Sequence, residues 1–170
     1  METNSVDFFN KNRYQLPINI TAPIIVGWEL RTPENYGNLI RLADTVGCKK
    51  VVFVSNDIKV SDRKIRKTAG DSYNHMVMEF VSEDQIGKCI PEEYQWIALE
   101  TAENSTNIYK TLLPEAIALF VGNEQRGIPD FVLERFQSIV HIPLTGRCTS
   151  LNVSHACAIA LFEWVRQHYK

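Results

Sequence analysis

A chain of 170 residues, 45% hydrophobic and 22% charged, is long enough for one globular domain with its own core. No apolar stretch approaches a membrane span, and residues 1–22 lack the apolar region of a signal peptide, so we expect a cytoplasmic protein. The four cysteines form no C-x-x-C pair, which disfavours a disulfide framework or a zinc site. The net charge of −2 excludes a surface uniformly coated in positive charge.

The predicted elements begin with an N-terminal arm, residues 1–22, which precedes a single domain at 23–170. Four apolar side chains of the arm are candidates for docking onto that domain: Phe8, Phe9, Tyr14 and Leu16. No internal repeat and no linker to a second domain interrupts residues 23–170, so the sequence predicts one body with a short leading segment.

Apolar runs of strand length alternate with helical patterns along the domain. Strands are predicted at 23–30, 51–54, 76–81, 96–99, 116–121 and 138–144. Helices are predicted at 35–46, 61–68, 82–90, 131–136 and 151–168, with Gly47 as the cap that ends the first. This alternation predicts an α/β fold in which a mostly parallel sheet carries helices on both faces.

The last helix, 151–168, is apolar on nearly all sides and must be covered on more than one of them. In so small a domain the natural cover is a partner subunit, so we expect a homodimer with Phe162 and Trp164 at its interface. A central helix in a monomer is the alternative.

A cluster of cations lies between the second and third predicted strands. It comprises Lys59, Arg63, Lys64, Arg66 and Lys67. Such a cluster is suited to the phosphates of RNA. A solvated helix face with no partner is the other interpretation.

Glycine-containing polar loops follow the late strands. Gly122 and Gly127 follow the strand at 116–121, and Gly146 follows the strand at 138–144. Glycine lets main-chain groups approach a ligand closely, and the carboxyl ends of parallel strands are where open α/β sheets bind ligands. The first loop, 31–37, lacks the Gly-x-Gly-x-x-Gly pattern, which disfavours a Rossmann-type site.

Three motifs resemble those of SpoU/TrmH-type RNA ribose 2′-O-methyltransferases, members of the SPOUT superfamily. They are NYGNLIRLA at 35–43, GNEQRG at 122–127 and IPLTGRCTSLNVS at 142–154, in the family's order. The resemblance covers roughly residues 23–167. It implies S-adenosylmethionine as methyl donor, RNA as substrate, no metal, and a C-terminal trefoil knot that periodicity alone would not suggest.

The same resemblance assigns two sets of site residues. The catalytic set is Asn35, Arg41, Glu124, Ser150 and Asn152. The donor-binding set is Leu99, Gly122, Ile142, Leu144 and Leu151.

The residue types of the catalytic set suit methyl transfer to a ribose hydroxyl. Arg41 is essentially always charged, so we expect it to grip a phosphate and stabilise the developing alkoxide, in its own site or the partner's. Asn35 and Asn152 would orient Arg41 or the substrate, and Glu124 would hold Arg41 or Asn35 in place. Ser150 would bind the donor or the phosphate.

Among RNA substrates, tRNA is favoured over rRNA, because small single-domain relatives of this family act on tRNA. The alternatives are a non-catalytic RNA- or nucleotide-binding module on the same fold and a small-molecule methyltransferase. His141 and His155 are interpreted as core or interface histidines and not as catalytic bases.

Overall fold

The computed structural model describes residues 4–12, 17, 20–55 and 60–169. Its strands form one seven-stranded sheet in the order β3-β2-β1-β6-β4-β7-β5, and every pairing between these strands is parallel. The strands are β1 (Ile24–Trp28), β2 (Lys50–Val54), β3 (Met78–Val81), β4 (Gln95–Leu99), β5 (Thr106–Asn107), β6 (Ile117–Val121) and β7 (Ser138–His141). The predicted parallel sheet is confirmed.

Helices cover both faces of the sheet, as predicted. The helices of the described residues are α1 (Ser5–Lys11), α2 (Pro33–Val46), α3 (Asp62–Ala69), α4 (Ser72–His75), α5 (Ile86–Cys89), α6 (Asp130–Leu133) and α7 (Val153–His168). One core cluster joins the sheet to α2, α3 and α7, and a second joins its other face to α5 and α6. Neighbouring residues of β1 divide between the two, with Ile25 in the first and Ile24 in the second.

Within the described residues, no helix combines the length and the apolar character needed to cross a bilayer.

The N-terminal arm contains a helix that the sequence reading missed. Asn4 caps the start of α1, because its Oδ1 accepts the N–H of Val6 at 3.0 Å. Phe8 and Phe9 do not dock onto the domain, since they are 54% and 57% exposed. The other two docking candidates, Tyr14 and Leu16, lie outside the described residues.

The elements that frame the site begin and end at recognisable signals. Helix α2 starts at Pro33, whose missing N–H costs nothing in a first turn, and ends at Gly47 with φ 79°. Strand β7 ends at His141, earlier than predicted, and α7 begins at Val153, later than predicted. Residues 142–152 are therefore a loop between them.

Helix α7 is buried mainly within its own chain. Trp164 is fully buried and its Nε1 donates a hydrogen bond to the Pro114 carbonyl at 2.8 Å, so placing it at a subunit interface was wrong. Phe162 is 51% exposed and shares an open stripe with His155 and Arg166. The homodimer and the trefoil knot stay predictions.

Candidate functional site

A cavity of about 580 Å³ opens where β4, β6 and β7 end beside the start of α7. These carboxyl ends meet because the strands are parallel neighbours. The residues lining the cavity include the whole expected donor-binding set, Leu99, Gly122, Ile142, Leu144 and Leu151, and three of the expected catalytic set, Glu124, Ser150 and Asn152. Leu144 and Leu151 remain 38% and 41% exposed, so part of the apolar lining is open to solvent.

The loop after β6, residues 122–128, is a tight hairpin that we call the glycine loop. Asn123 and Gly127 exchange two backbone hydrogen bonds, with N···O distances of 3.2 and 2.9 Å. A Cβ atom on Gly122 would lie 2.4 Å from the carbonyl carbon of Gly127. The sequence reading explained Gly122 by close approach to a ligand. The geometry adds a second reason, which is the closure of this loop upon itself.

The carboxylate of Glu124 joins the glycine loop to the start of α2. Its Oε1 accepts hydrogen bonds from Asn35 Nδ2 at 2.6 Å and Thr32 Oγ1 at 2.7 Å. Its Oε2 accepts the backbone N–H of Arg31 at 2.9 Å. The negative charge thus lies beside the N-terminus of a helix, where the helix dipole favours an anion.

These contacts keep Glu124 ionised. Burial opposes ionisation and is the largest single influence, but hydrogen bonds from Thr32 and Asn35, with backbone N–H donors, together outweigh it and lower the pKa of Glu124 to about 2. A carboxylate with so low a pKa and so many donors is a poor proton acceptor near neutral pH. The geometry therefore assigns Glu124 to holding Asn35 and the loop in place.

The hydrogen bonds continue from Asn35 into α7. Asn35 is only 4% exposed, and its Oδ1 accepts Nδ2 of Asn152 at 3.1 Å. Oδ1 of Asn152 in turn accepts Ser154 Oγ at 2.7 Å and the Ser154 N–H at 2.9 Å, which caps α7. We call Thr32, Asn35, Glu124, Asn152 and Ser154 the polar chain. It ties together residues from all three sequence motifs and the loop before the first.

Asn35 and Arg41, the other two members of the expected catalytic set, do not line the cavity. Asn35 is still connected to it by hydrogen bonds to Glu124 and Asn152, but Arg41 has no such connection. It is exposed on α2, and its side chain has no hydrogen bond or ion pair with any described residue. It follows Asn35 by six positions, which places the two residues about 120° apart around the helix. Ser150, by contrast, lies at the cavity with an exposed side chain.

Sequence reasoning missed Glu100, which follows β4 directly and lines the cavity. Its position after a buried parallel strand was the available signal. His141, interpreted as a satisfied histidine, has Nδ1 2.9 Å from Ser105 Oγ, as that interpretation requires, and it also lines the cavity.

The expected RNA-binding cations lie on the outer face of α3. Arg63, Lys64, Arg66 and Lys67 are exposed there, whereas Lys59 lies outside the described residues. Arg66 is held in place, because its Nε donates to Asp62 at 2.7 Å and its guanidinium lies 4.2 Å from the centroid of the Tyr73 ring. No described residue pairs with the Lys64 or Lys67 ammonium groups.

Helix α3 packs directly on the backbone of α2 at Gly37. A Cβ atom there would lie 2.6 Å from Thr68 Cβ and 2.7 Å from the Ile65 carbonyl oxygen. Glycine is therefore required for this approach of the two helices. The basic face of α3, defined by its four exposed cations, thus belongs to the same rigid unit as Asn35.

Comparison with known proteins places the chain beside RNA-modifying enzymes. The model of the SpoU rRNA Methylase family matches residues 22–162. The 23S rRNA (guanosine-2′-O-)-methyltransferase RlmB of Haemophilus ducreyi is 33% identical over 137 residues, which are 79% of this chain and 56% of that protein. The tRNA (guanosine(18)-2′-O)-methyltransferase TARBP1 of Mus musculus is 27% identical over 94% of this chain and 10% of its own length. The chain spans about half the length of the bacterial relatives it matches.

Solved structures share the fold over most of the chain. An AdoMet-bound rRNA methyltransferase from Sinorhizobium meliloti matches with a TM-score of 0.78 at 22% identity, covering 98% of this chain and 71% of that one. A structure that concerns the 2-OH methylation of C/U34 on tRNA matches with a TM-score of 0.77 at 26% identity, covering 86% of this chain and 96% of that one.

Proposed function

Because this chain belongs to the SpoU rRNA Methylase family, we propose that it transfers a methyl group from S-adenosylmethionine to a ribose 2′-OH of RNA. One observation carries the proposal. A single cavity at the carboxyl edge of the sheet is lined by every expected donor-binding residue and by Glu124, Ser150 and Asn152.

The cavity suits S-adenosylmethionine in size and in chemistry. Its volume of about 580 Å³ falls within the usual range for small-molecule sites, roughly 300 to 1,000 Å³. Leu144 and Leu151 offer apolar surface to a flat base, and the glycine loop offers main-chain polar groups beside it. When bound there, S-adenosylmethionine supplies an electrophilic methyl group on a sulfonium centre.

The protein's own residues act mainly by position and charge. The polar chain fixes the amides of Asn35 and Asn152 next to the cavity, and Ser150 presents a hydroxyl at its rim. Arg41 neutralises the charge that develops as the ribose oxygen loses its proton to a neighbouring phosphate. Glu124 does not accept that proton, because its pKa of about 2 leaves it a very weak base. No metal takes part in this scheme.

Arg41 does not line the cavity of its own chain, which favours an assembly in which two copies complete each other's sites. We propose a homodimer that covers the exposed stripe of α7 around Phe162. We also propose that the protein acts in the cytoplasm.

Among RNA substrates, we propose tRNA over rRNA. The support is the similarity to the structure concerned with 2-OH methylation of C/U34 on tRNA, which is 26% identical over 86% of this chain.

Incubation with methyl-labelled S-adenosylmethionine and purified total tRNA or rRNA, followed by nucleoside mapping, tests the proposal. We expect a labelled 2′-O-methylnucleoside in tRNA, formed about a hundredfold or more slowly by the Arg41→Ala variant. Label in rRNA alone would overturn the choice of tRNA. RNA binding without any label would instead indicate the non-catalytic module.

A further inference from the structure

Glu100 lies between two cavities and belongs to neither residue set expected from the motifs. It directly follows β4 and lines both the cavity described above and a neighbouring one of similar volume, about 580 Å³. Its Oε1 accepts the N–H of Thr101 at 2.9 Å, and its Oε2 accepts the N–H of Ile128 at 2.9 Å. Both carboxylate oxygens are therefore bonded to main chain.

The bond to Ile128 closes the far end of the glycine loop. Gly127 has φ +66°, and a Cβ atom on it would lie 2.4 Å from Oε2 of Glu100, so the carboxylate lies directly against the loop. On the other side, Gly122 lies against the backbone of Gly127 and Ile128. The end of the glycine loop is therefore packed between Gly122 and Glu100.

The two main-chain bonds differ in what their loss would cost. Ile128 is only 3% exposed, so its N–H has little access to water if the carboxylate is removed. Thr101 is exposed, so its N–H can bond to solvent instead. A buried donor left without an acceptor is costly, whereas an exposed one is not. The bond from Ile128 is therefore the one that matters.

We propose that Glu100 is a positioning residue for the methyl-donor site. It holds Ile128, and through it the glycine loop, so that the Gly122 main chain faces the cavity and Glu124 reaches Thr32 and Asn35. The expected effect of Glu100 on S-adenosylmethionine binding rests on the proposed function. Its expected effect on the glycine loop does not. Glu100 acts through the loop and does not touch the reacting atoms.

Three substitutions separate this role from a direct contact with the ligand. Glu100→Ala removes the acceptor, whereas Glu100→Gln keeps an amide oxygen for the Ile128 N–H and loses only the charge. Glu103→Ala is the matched control, because Glu103 is an exposed carboxylate nearby that borders only the second cavity. Each variant is examined by amide hydrogen exchange at Ile128 without ligand and by calorimetry with S-adenosylmethionine.

We expect Glu100→Ala to speed exchange at Ile128 and to weaken S-adenosylmethionine binding about tenfold. Glu100→Gln should bind within about threefold of the wild type, since it retains the acceptor. Glu103→Ala should change neither measurement. If Glu100→Ala does not fold, Glu100→Asp replaces it, because the shorter carboxylate keeps the charge and should lose the bond to Ile128.

The proposal is overturned if removing the acceptor leaves exchange at Ile128 and donor affinity unchanged. It is also overturned if Glu100→Gln protects Ile128 yet binds as weakly as Glu100→Ala, because the carboxylate would then contact the ligand itself. Failure of the wild type to bind S-adenosylmethionine would count against the proposed function. Exchange at Ile128 would still decide the positioning role.

Discussion

The polar chain and the basic face of α3 are both hydrophilic, yet they are built in opposite ways. In the polar chain each side chain bonds to another, and Asn35 at its centre is only 4% exposed. On the basic face, Lys64 and Lys67 are exposed and have no partner among the described residues. The first arrangement fixes geometry, and the second supplies charge that can follow a flexible ligand. Substitutions in the two regions should therefore affect different measurements.

The largest effect should come from Arg41, which shares a feature with each region. It is exposed, like the cations of the basic face, but it belongs to the first motif together with Asn35. Arg41→Ala should lower the methylation rate by about a hundredfold or more while leaving S-adenosylmethionine affinity nearly unchanged. Arg41→Lys should also be poor, because a point charge does not reproduce the bidentate guanidinium. Single-turnover assays and calorimetry check both. If Arg41→Ala methylates RNA at nearly the wild-type rate, Arg41 takes no part in catalysis and acts like the exposed cations of the basic face.

Breaking the polar chain at Asn35 should lower stability. Asn35→Ala removes a donor to Glu124 and leaves Nδ2 of Asn152 without its acceptor. We expect the free energy of unfolding to fall by about 1 to 3 kcal/mol in denaturant titrations. Asn38→Ala, on the same helix but without a side-chain hydrogen bond to any described residue, should change it by about 0.5 kcal/mol or less. Equal losses in the two variants would show that the polar chain adds nothing beyond helix packing.

The polar chain should also make the free energy of unfolding sensitive to acid. The pKa of Glu124 is lowered from 4.5 to about 2, so its hydrogen bonds stabilise the folded state fully above pH 4.5. As the pH falls from 4.5 towards 2, the unfolded chain takes up the proton first and this stabilisation is lost. The free energy of unfolding of the wild type should exceed that of Glu124→Gln most above pH 4.5, with a gap that narrows towards pH 2. A gap independent of pH would contradict the lowered pKa.

The smallest effects should come from the basic face. Lys64→Gln should weaken RNA binding only a few fold and reduce the slope of log K against log salt by about 0.7 to 0.9. It should leave S-adenosylmethionine affinity and stability unchanged. Lys88→Gln is the control, since Lys88 is exposed on α5, across the sheet from α3. Filter binding over a range of salt concentrations measures the slope for both variants. Equal slopes for Lys64→Gln and Lys88→Gln would show that α3 does not contact RNA.

Much of the fold follows from local patterns. Continuous apolar runs predicted six of the seven strands, and helical spacing predicted α2 and α7, because buried parallel strands and core-facing helices leave strong signals. Strand β5 has two residues and α4 has four, too few for any period to register. Helix α7 starts after Asn152, which caps it; asparagine is a usual N-cap residue, but the apolar pattern that begins at Leu151 predicted an earlier start.

The meeting of the expected donor-binding residues could be predicted from the sequence, but the hydrogen bonds around them could not. Parallel strand ends gather the donor-binding residues, so their meeting at one cavity follows from the topology. That Glu124 bonds Asn35 and not Arg41 depends on contacts between segments 89 residues apart. The bond between Glu100 and Ile128 likewise spans 28 residues, and only the folded chain shows it.

Gly37 affects the distance between the basic face of α3 and the start of α2. Since α2 and α3 meet there without an intervening side chain at position 37, the backbones of the two helices are held at a fixed separation. On the proposed function, we expect this fixed separation to set the distance along the ribose–phosphate chain between a phosphate bound by α3 and the nucleotide that is methylated. A larger residue at position 37 would push the two helices apart, and we expect it to change which nucleotide is methylated even with every expected catalytic residue unchanged.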